Sequence, residues 1–304
     1  MLCILYVNAI GTLLGVAGLL LERALPPNFS RRWVWLVIIA MSVIIPGVYR
    51  AHHTMSVGPS PTAVNLDWWT HADSYGATVI RLGLLVSWFL VIVALANALR
   101  VSRVVNQSRR ETDSSKPAVI DGVPVVVTDS MGPATVGLLR SRVLVPRWVL
   151  ALPGMQRQYV LRHEEEHRRT HDARLLLVAS LPLLLMPWNL AFWWLLRRLS
   201  LAVEMDCDRR VVSALGDATA YGELLLKIAQ AASRGPRLQP ALLGAGMLEH
   251  RLTAMLAPTP LRHVQRFLLP IAAGALLLLV LVMPHPVLGH EVHTHVAMSR
   301  SPKR

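Results

Sequence analysis

Tyr159-Val-Leu-Arg-His-Glu-Glu-Glu-His-Arg-Arg-Thr-His-Asp172 is the stretch on which the reading of this chain turns. On a helix, His163 and His167 are rotated by only about 40° from each other, so both imidazoles reach one ion from a single face. Neutral imidazole nitrogen suits zinc, and a carboxylate beside the first ligand can take a proton from a water held at the remaining coordination position. Glu164 is placed to be that general base. The run predicts a helix over about 155–173, introduced by Pro153-Gly154. The same residues also describe a solvated polar helix, in which Arg162, Arg168 and Arg169 balance three glutamates through helical neighbours.

The chain around this helix is apolar. Its 304 residues are 53% hydrophobic and only 16% charged, with a mean hydropathy of +0.44 and a net charge of +13. The apolar residues gather into long runs, which excludes an ordinary soluble domain and predicts a mainly α integral membrane protein. In such a protein an excess of Lys and Arg marks cytoplasmic loops beside anionic lipid, so direct nucleic-acid binding is not expected. Only Cys3 and Cys207 are present, so no disulfide framework is indicated and the polar part fits a reducing compartment.

About four transmembrane helices are expected, over 2–21, 33–49, 77–99 and 267–283. The first carries Gly11-x-x-x-Gly15, a spacing that permits close helix packing. The implied organisation is a three-span region over 1–99 with an outer loop at 50–76, a cytoplasmic-face domain over 100–266, a last span over 267–283 and a His-rich outer tail over 284–304. Most of the 31 Lys and Arg fall in 22–32, 100–173 and 197–266. Placing these segments inside puts both termini outside and HEEEH on the cytoplasmic side.

Residues 174–196 decide whether a site can be assembled. The segment is apolar, but Pro182, Pro187 and Asn189 interrupt it, as in a re-entrant hairpin whose freed backbone groups are covered by protein. If it crossed the bilayer, everything after Arg197 would lie about 30 Å from HEEEH. If it dips and returns, Glu204-Met-Asp-Cys-Asp208 comes into reach. That motif lies in a predicted helix over 199–215, stopped by Gly216, with Glu204 and Asp208 on one helical face. A further helix is expected over 218–232, with Asp217 as its cap. Short β-branched runs at 123–128, 134–139 and 143–145 predict a small sheet. Such a sheet either offers an edge strand to an extended peptide or only covers the site helix.

Taken together, Pro133-Ala-Thr-Val-Gly-Leu138, Val143-Leu-Val-Pro146, HEEEH with Asp172 a turn beyond, Trp188-Asn189 in a Pro-broken stretch and Glu204-x-x-Cys-Asp208 resemble the BlaR/MecR-type antirepressor family of bacterial membrane zinc metallopeptidases. The resemblance covers about 117–232. It implies a zincin-like α+β domain with Zn2+ held by His163, His167 and Glu204, and with Glu164 as catalytic base. Asp208 would fix a histidine tautomer or add a ligand, and Asp172 would stabilise the site from the end of its helix. Independently, a catalytic zinc needs a third protein ligand, and a carboxylate completes a His2Glu set with one position left for water. His171 competes, but it lies roughly 6 Å further along the helix than His167.

Glu165 and Glu166 stand where such motifs usually carry small or apolar residues, which predicts a more polar setting for this helix. With only a short outer tail after the last expected span, these residues predict no large extracellular sensor domain of the kind the beta-lactam receptors carry. The resemblance implies hydrolysis of a protein or peptide substrate at the inner membrane of a bacterial cell, with a winged-helix transcriptional repressor or the protein itself as target. One alternative is a quality-control or processing peptidase similar to the HtpX and CAAX-prenyl-protease families. Another is a non-catalytic signal transducer or metal sensor that uses His52-His53 or the tail histidines His285, His290, His293 and His295. His71, His250 and His263 belong to no constellation.

Overall fold

The computed structural model describes residues 2–26, 29–55, 68–111, 118–128, 132–137, 141–234, 241–256 and 263–283. The tail histidines and residues 56–67 of the outer loop lie outside these residues, and His52 and His53 fall in the last turns of a helix that runs to Met55.

The first helix, α1 (Leu2–Ala24), turns into α2 (Arg32–Met55). A single long helix, α3 (Trp68–Glu111), replaces the expected shorter span and the linkers on either side of it. Four short strands follow: β1 (Ala118–Ile120), β2 (Val123–Thr128), β3 (Ala134–Val136) and β4 (Arg142–Pro146). After the single turn α4 (Arg147–Leu150) comes the site helix α5 (Gly154–Thr170), then α6 (Asp172–Ser180) and a 3-10 turn over Leu181–Leu184. The chain ends in α7 (Leu190–Leu215), α8 (Ala218–Arg234), α9 (Ala241–Leu256) and α10 (His263–Val282).

Among the described residues, three helical stretches are long and apolar enough to cross a membrane: Ile4–Ala24, Tyr75–Asn97 and Val264–Val282. The apolar part of α2, Arg32–Val48, is shorter, so the fourth expected span lacks the length of the other three. Gly11 and Gly15 both face the start of α7. A Cβ at Gly11 would crowd that of Ala191, and one at Gly15 would overlap the Trp194 ring, so the small-residue spacing serves a close helix contact within the chain.

Residues 174–196 form two limbs of a hairpin. α6 and its 3-10 extension descend to Pro187 and Trp188, and Asn189 then caps α7 by accepting from the Phe192 N–H at 3.0 Å. Each limb is about 22–24 Å long from its helical rise. The limbs start and end level with one another, because Asp172 at the top of α6 and Asp206 on α7 both bind Arg32. α3 packs on the apex, where Gly83 meets the Trp188 ring and Pro187, and the Ser87 hydroxyl donates to the Leu183 carbonyl at 3.4 Å.

The sheet has the order β1-β2-β4-β3. β1 and β2 form a hairpin through Asp121-Gly122, whose φ values of 48° and 81° suit the two-residue turn that matches strand twist. β2 and β4 run parallel, and β3 pairs antiparallel to β4. β3 is shorter than the run expected there, and among the described residues its outer side carries no strand.

Two apolar cores result. One gathers Ile10, Leu14, Trp35, Ile38, Phe192, Leu195 and Leu199 from α1, α2 and α7. The other packs Val125, Val143 and Val145 of the sheet against Tyr159, Leu161, Cys207, Val211, Tyr221 and Leu224. α7 feeds both cores, the first through Val203 and the second from Cys207. Glu204 lies at the change-over.

Candidate metal centre

The site helix is fixed at both ends. Near its start the buried Tyr159 donates its hydroxyl proton to the Gly216 carbonyl at 2.9 Å, which ties α5 to the bend between α7 and α8. At its end the helix stops three residues sooner than the sequence predicts. His171 takes left-handed backbone angles (φ 55°, ψ 37°), and α6 restarts at Asp172 in a new direction. The His171 ring is exposed and its Nδ1 lies 3.1 Å from the Arg169 carbonyl, away from the other two histidines. The break lets Asp172 turn back, so that its Oδ2 sits 2.8 Å from His167 Nδ1.

His163 and His167 present their Nε2 atoms to each other at 3.1 Å. The Glu204 carboxylate completes a triangle, with Oε2 3.5 Å from His163 Nε2 and Oε1 3.5 Å from His167 Nε2. Ligands at 2.0–2.1 Å from a tetrahedral ion are separated by about 3.3 Å, so the two Nε2 atoms are spaced as two ligands of one ion would be, and each faces a different oxygen of the Glu204 carboxylate. The hairpin therefore brings Glu204 to HEEEH.

Hydrogen bonding behind the imidazoles sets their tautomers. Asp208 is fully buried and accepts from Tyr221 Oη at 2.8 Å, while the same Oη lies 2.9 Å from His163 Nδ1. The one hydroxyl proton goes to the carboxylate, which can only accept, so His163 Nδ1 must carry a proton and donate it to Tyr221. His167 Nδ1 donates directly to Asp172. With Nδ1–H engaged in both rings, Nε2 is the nitrogen of each that faces the space between them and would bind an ion there. Asp208 thus acts on His163 chiefly through Tyr221, its direct approach being 3.5 Å.

Each aspartate is held by an arginine that the motifs did not reveal. Arg251 of α9 grips Asp208 with two bonds of 2.7 Å, and its Nη1 reaches Glu204 Oε2 at 3.1 Å. Arg32 of α2 donates to Asp172 at 2.7 Å. Tyr221 and Arg251 occupy helix positions with no local signature, and Arg32 reads in sequence as one more cation of a basic loop.

The surroundings favour positive charge at the two rings. Burial opposes protonation of His167, but Asp172, Cys207 and Glu204 outweigh it and raise its pKa to about 11. Burial would raise the Glu204 carboxyl, yet His163 and His167 hold it well below the usual carboxylate range. A divalent cation suits such a field.

Cys207 is a further donor. Its thiol lies with the ligating atoms of His163 and His167 within a span of 4.8 Å. It stands 3.4 Å from His163 Nδ1, however, and donates to the His163 carbonyl at 3.3 Å, so it packs behind the ring that Glu204 meets at Nε2. Among the described residues His163, His167 and Cys207 form the group that could hold a metal ion, while the Glu204 carboxylate faces the two Nε2 atoms from the other side.

Glu164 is buried, and its Oε2 accepts from the Thr135 hydroxyl at 3.1 Å; the same hydroxyl lies 2.7 Å from the Glu164 carbonyl. Thr135 belongs to β3, so the edge strand is joined to the helix at the residue between the two histidines. Glu165 and Glu166 are buried as well. Glu165 accepts from Arg168 at 2.6 and 2.7 Å and from Arg169 at 2.8 Å, while Glu166 pairs with Arg162 at 2.7 Å and Arg210 at 2.8 Å. The helical ion pairs expected for a purely polar helix do form, on the faces that the histidines leave free.

A search among curated proteins returns no match. The family model described as BlaR1 peptidase M56 matches residues 4–255, which takes in the hairpin, the sheet, both histidines and Arg251, and the chain belongs to that family of membrane-associated metallopeptidases.

Proposed function

We propose that the protein is a zinc metalloendopeptidase acting at the cytoplasmic face of a bacterial inner membrane, with both termini outside. His163, His167 and Glu204 would hold the ion and Glu164 would be the general base. The observation that carries this reading is the pair of Nε2 atoms 3.1 Å apart, each 3.5 Å from one oxygen of the Glu204 carboxylate. Zinc held by these residues would supply Lewis-acid chemistry, activating a water and polarising the scissile carbonyl. Glu164, steadied by Thr135, accepts the proton from the attacking water and delivers it to the leaving amine. Arg251 engages one Glu204 oxygen at 3.1 Å and so would orient the carboxylate that is proposed to hold the ion.

The substrate reading follows from β3. An extended peptide adds to its free side through backbone hydrogen bonds and thereby lies along α5 beside Glu164. A cytosolic winged-helix repressor is the proposed target, its cleavage relieving repression. The domain scheme of three spans, a cytoplasmic-face domain with a dipping hairpin and a last span places this edge next to the lipid surface.

Zinc content per chain of the detergent-solubilised protein tests the centre. About one zinc is expected in the wild type and in Glu164→Gln, with none retained in His163→Ala or Glu204→Ala. Glu164→Gln is expected to cleave at least about 100-fold more slowly. Cleavage at the wild-type rate by Glu164→Gln would sink the mechanism, and zinc lost from Cys207→Ser but kept in Glu204→Ala would transfer the third ligand to the thiol.

A further inference from the structure

Peptide hydrolysis requires no arginine from the first helical hairpin, yet one reaches the centre. Arg32 opens α2, is 5% exposed, and lies 140 positions before the aspartate it binds. Its Nη1 donates to Asp172 Oδ1 at 2.7 Å, and the other oxygen of that carboxylate accepts the His167 Nδ1 proton at 2.8 Å. Its Nε donates to Asp206 Oδ2 at 3.2 Å. Asp206 in turn accepts the backbone N–H groups of Arg31 and Arg32 at 3.2 Å each, and the Ser30 hydroxyl, so α7 supplies the carboxylate that caps α2.

The arrangement is over-determined at Arg32 and fragile at Asp172. Asp172 is 2% exposed, and its two oxygens are divided between the guanidinium and the imidazole. A buried carboxylate that loses one of its two partners is free to rotate toward another donor. His167 then loses the acceptor that fixes Nδ1–H, and its ring is no longer oriented with Nε2 toward His163 and Glu204.

We propose that Arg32 is a positioning residue for the metal centre: acting through Asp172, it holds His167 in the metal-binding tautomer and makes the α1–α2 hairpin a working part of the site. This rests on the reading of His167 as a zinc ligand.

The test is a double-mutant cycle on the full-length protein in detergent, with zinc affinity measured by competition with a chromogenic chelator. Arg32→Met and Asp172→Ala are each expected to weaken zinc binding about 10- to 100-fold. Arg32→Met introduced into Asp172→Ala should add no more than about twofold, because the intermediary is already gone. Arg32→Lys should recover part of the loss, since it keeps the charge without the planar fork. An equal penalty in both backgrounds, or none in either, overturns the proposal. Should Arg32→Met give no folded protein, the same cycle with Arg32→Lys decides, coupling to Asp172 supporting the proposal and additivity overturning it. Zinc-free wild type would overturn the metal-centre reading itself, whereas zinc-loaded wild type indifferent to Arg32 overturns this proposal alone.

Discussion

Tyr221 shows how much of the centre depends on a single hydroxyl. It stands between His163 and Asp208 at 2.9 and 2.8 Å, and its removal would leave Nδ1 facing a carboxylate 3.5 Å away. Tyr221→Phe keeps the ring that packs on Tyr159 but deletes this relay. We expect zinc affinity about 10-fold weaker or more, with near-native helix content, measured by chelator competition and circular dichroism. His163, Glu164 and His167 were legible because metal chemistry fixes both residue type and spacing within one helical turn. Glu204 was legible only through the conditional argument that the Pro-broken stretch returns. Tyr221, Arg251, Arg32 and Thr135 were not, because each meets the site across more than 10 positions, from another element, and obeys no local spacing.

Among the elements, the break between α5 and α6 does most to shape the site. The sequence pattern runs on helically through Asp172, and nothing in it marks His171 as a stop, since histidine is only mildly favoured in left-handed geometry. The tertiary demand of Asp172 for Arg32 and His167 overrides it. A β-branched residue at that φ of 55° is strained, so His171→Val should destabilise the protein by about 1–2 kcal/mol, whereas His171→Gly should lie close to wild type in thermal unfolding. Both variants should retain zinc, because the His171 ring points elsewhere. The hairpin over Asp121-Gly122 illustrates the opposite case, in which the turn is written locally and β1 follows from it. α7 was foreseen only in its polar half. Its apolar first half continues the same helix because Asn189 caps it immediately after the turn.

At the scale of the whole molecule, charge joins what apolar packing would leave as two bodies. The two cores meet along α7; Arg32, from α2 of the first core, pairs across that junction with Asp172 and Asp206, while Arg251 and Arg210 tie α9 and α5 to the sheet-side half of α7. Burial would raise the Asp208 carboxyl, but the Arg251 fork and His163 hold it at about 2; Glu165 is likewise lowered, first by Arg168. Since these folded-state values lie below the unfolded ones, near 4, the stabilisation is complete above about pH 4 and is lost as pH falls toward about 2. Helix content followed against pH should collapse in that window, and Asp208→Asn should be less stable at neutral pH with a flatter acid limb. The outer side of β3 carries a different kind of selectivity if a substrate pairs with it as proposed. An edge that pairs with backbone distinguishes poorly among side chains and would engage any segment able to lie flat for a few residues. Susceptibility would then reside in the target: a well-packed domain would be spared, while a hinge or frayed linker whose local opening costs little would be cut at a rate set by how often it opens.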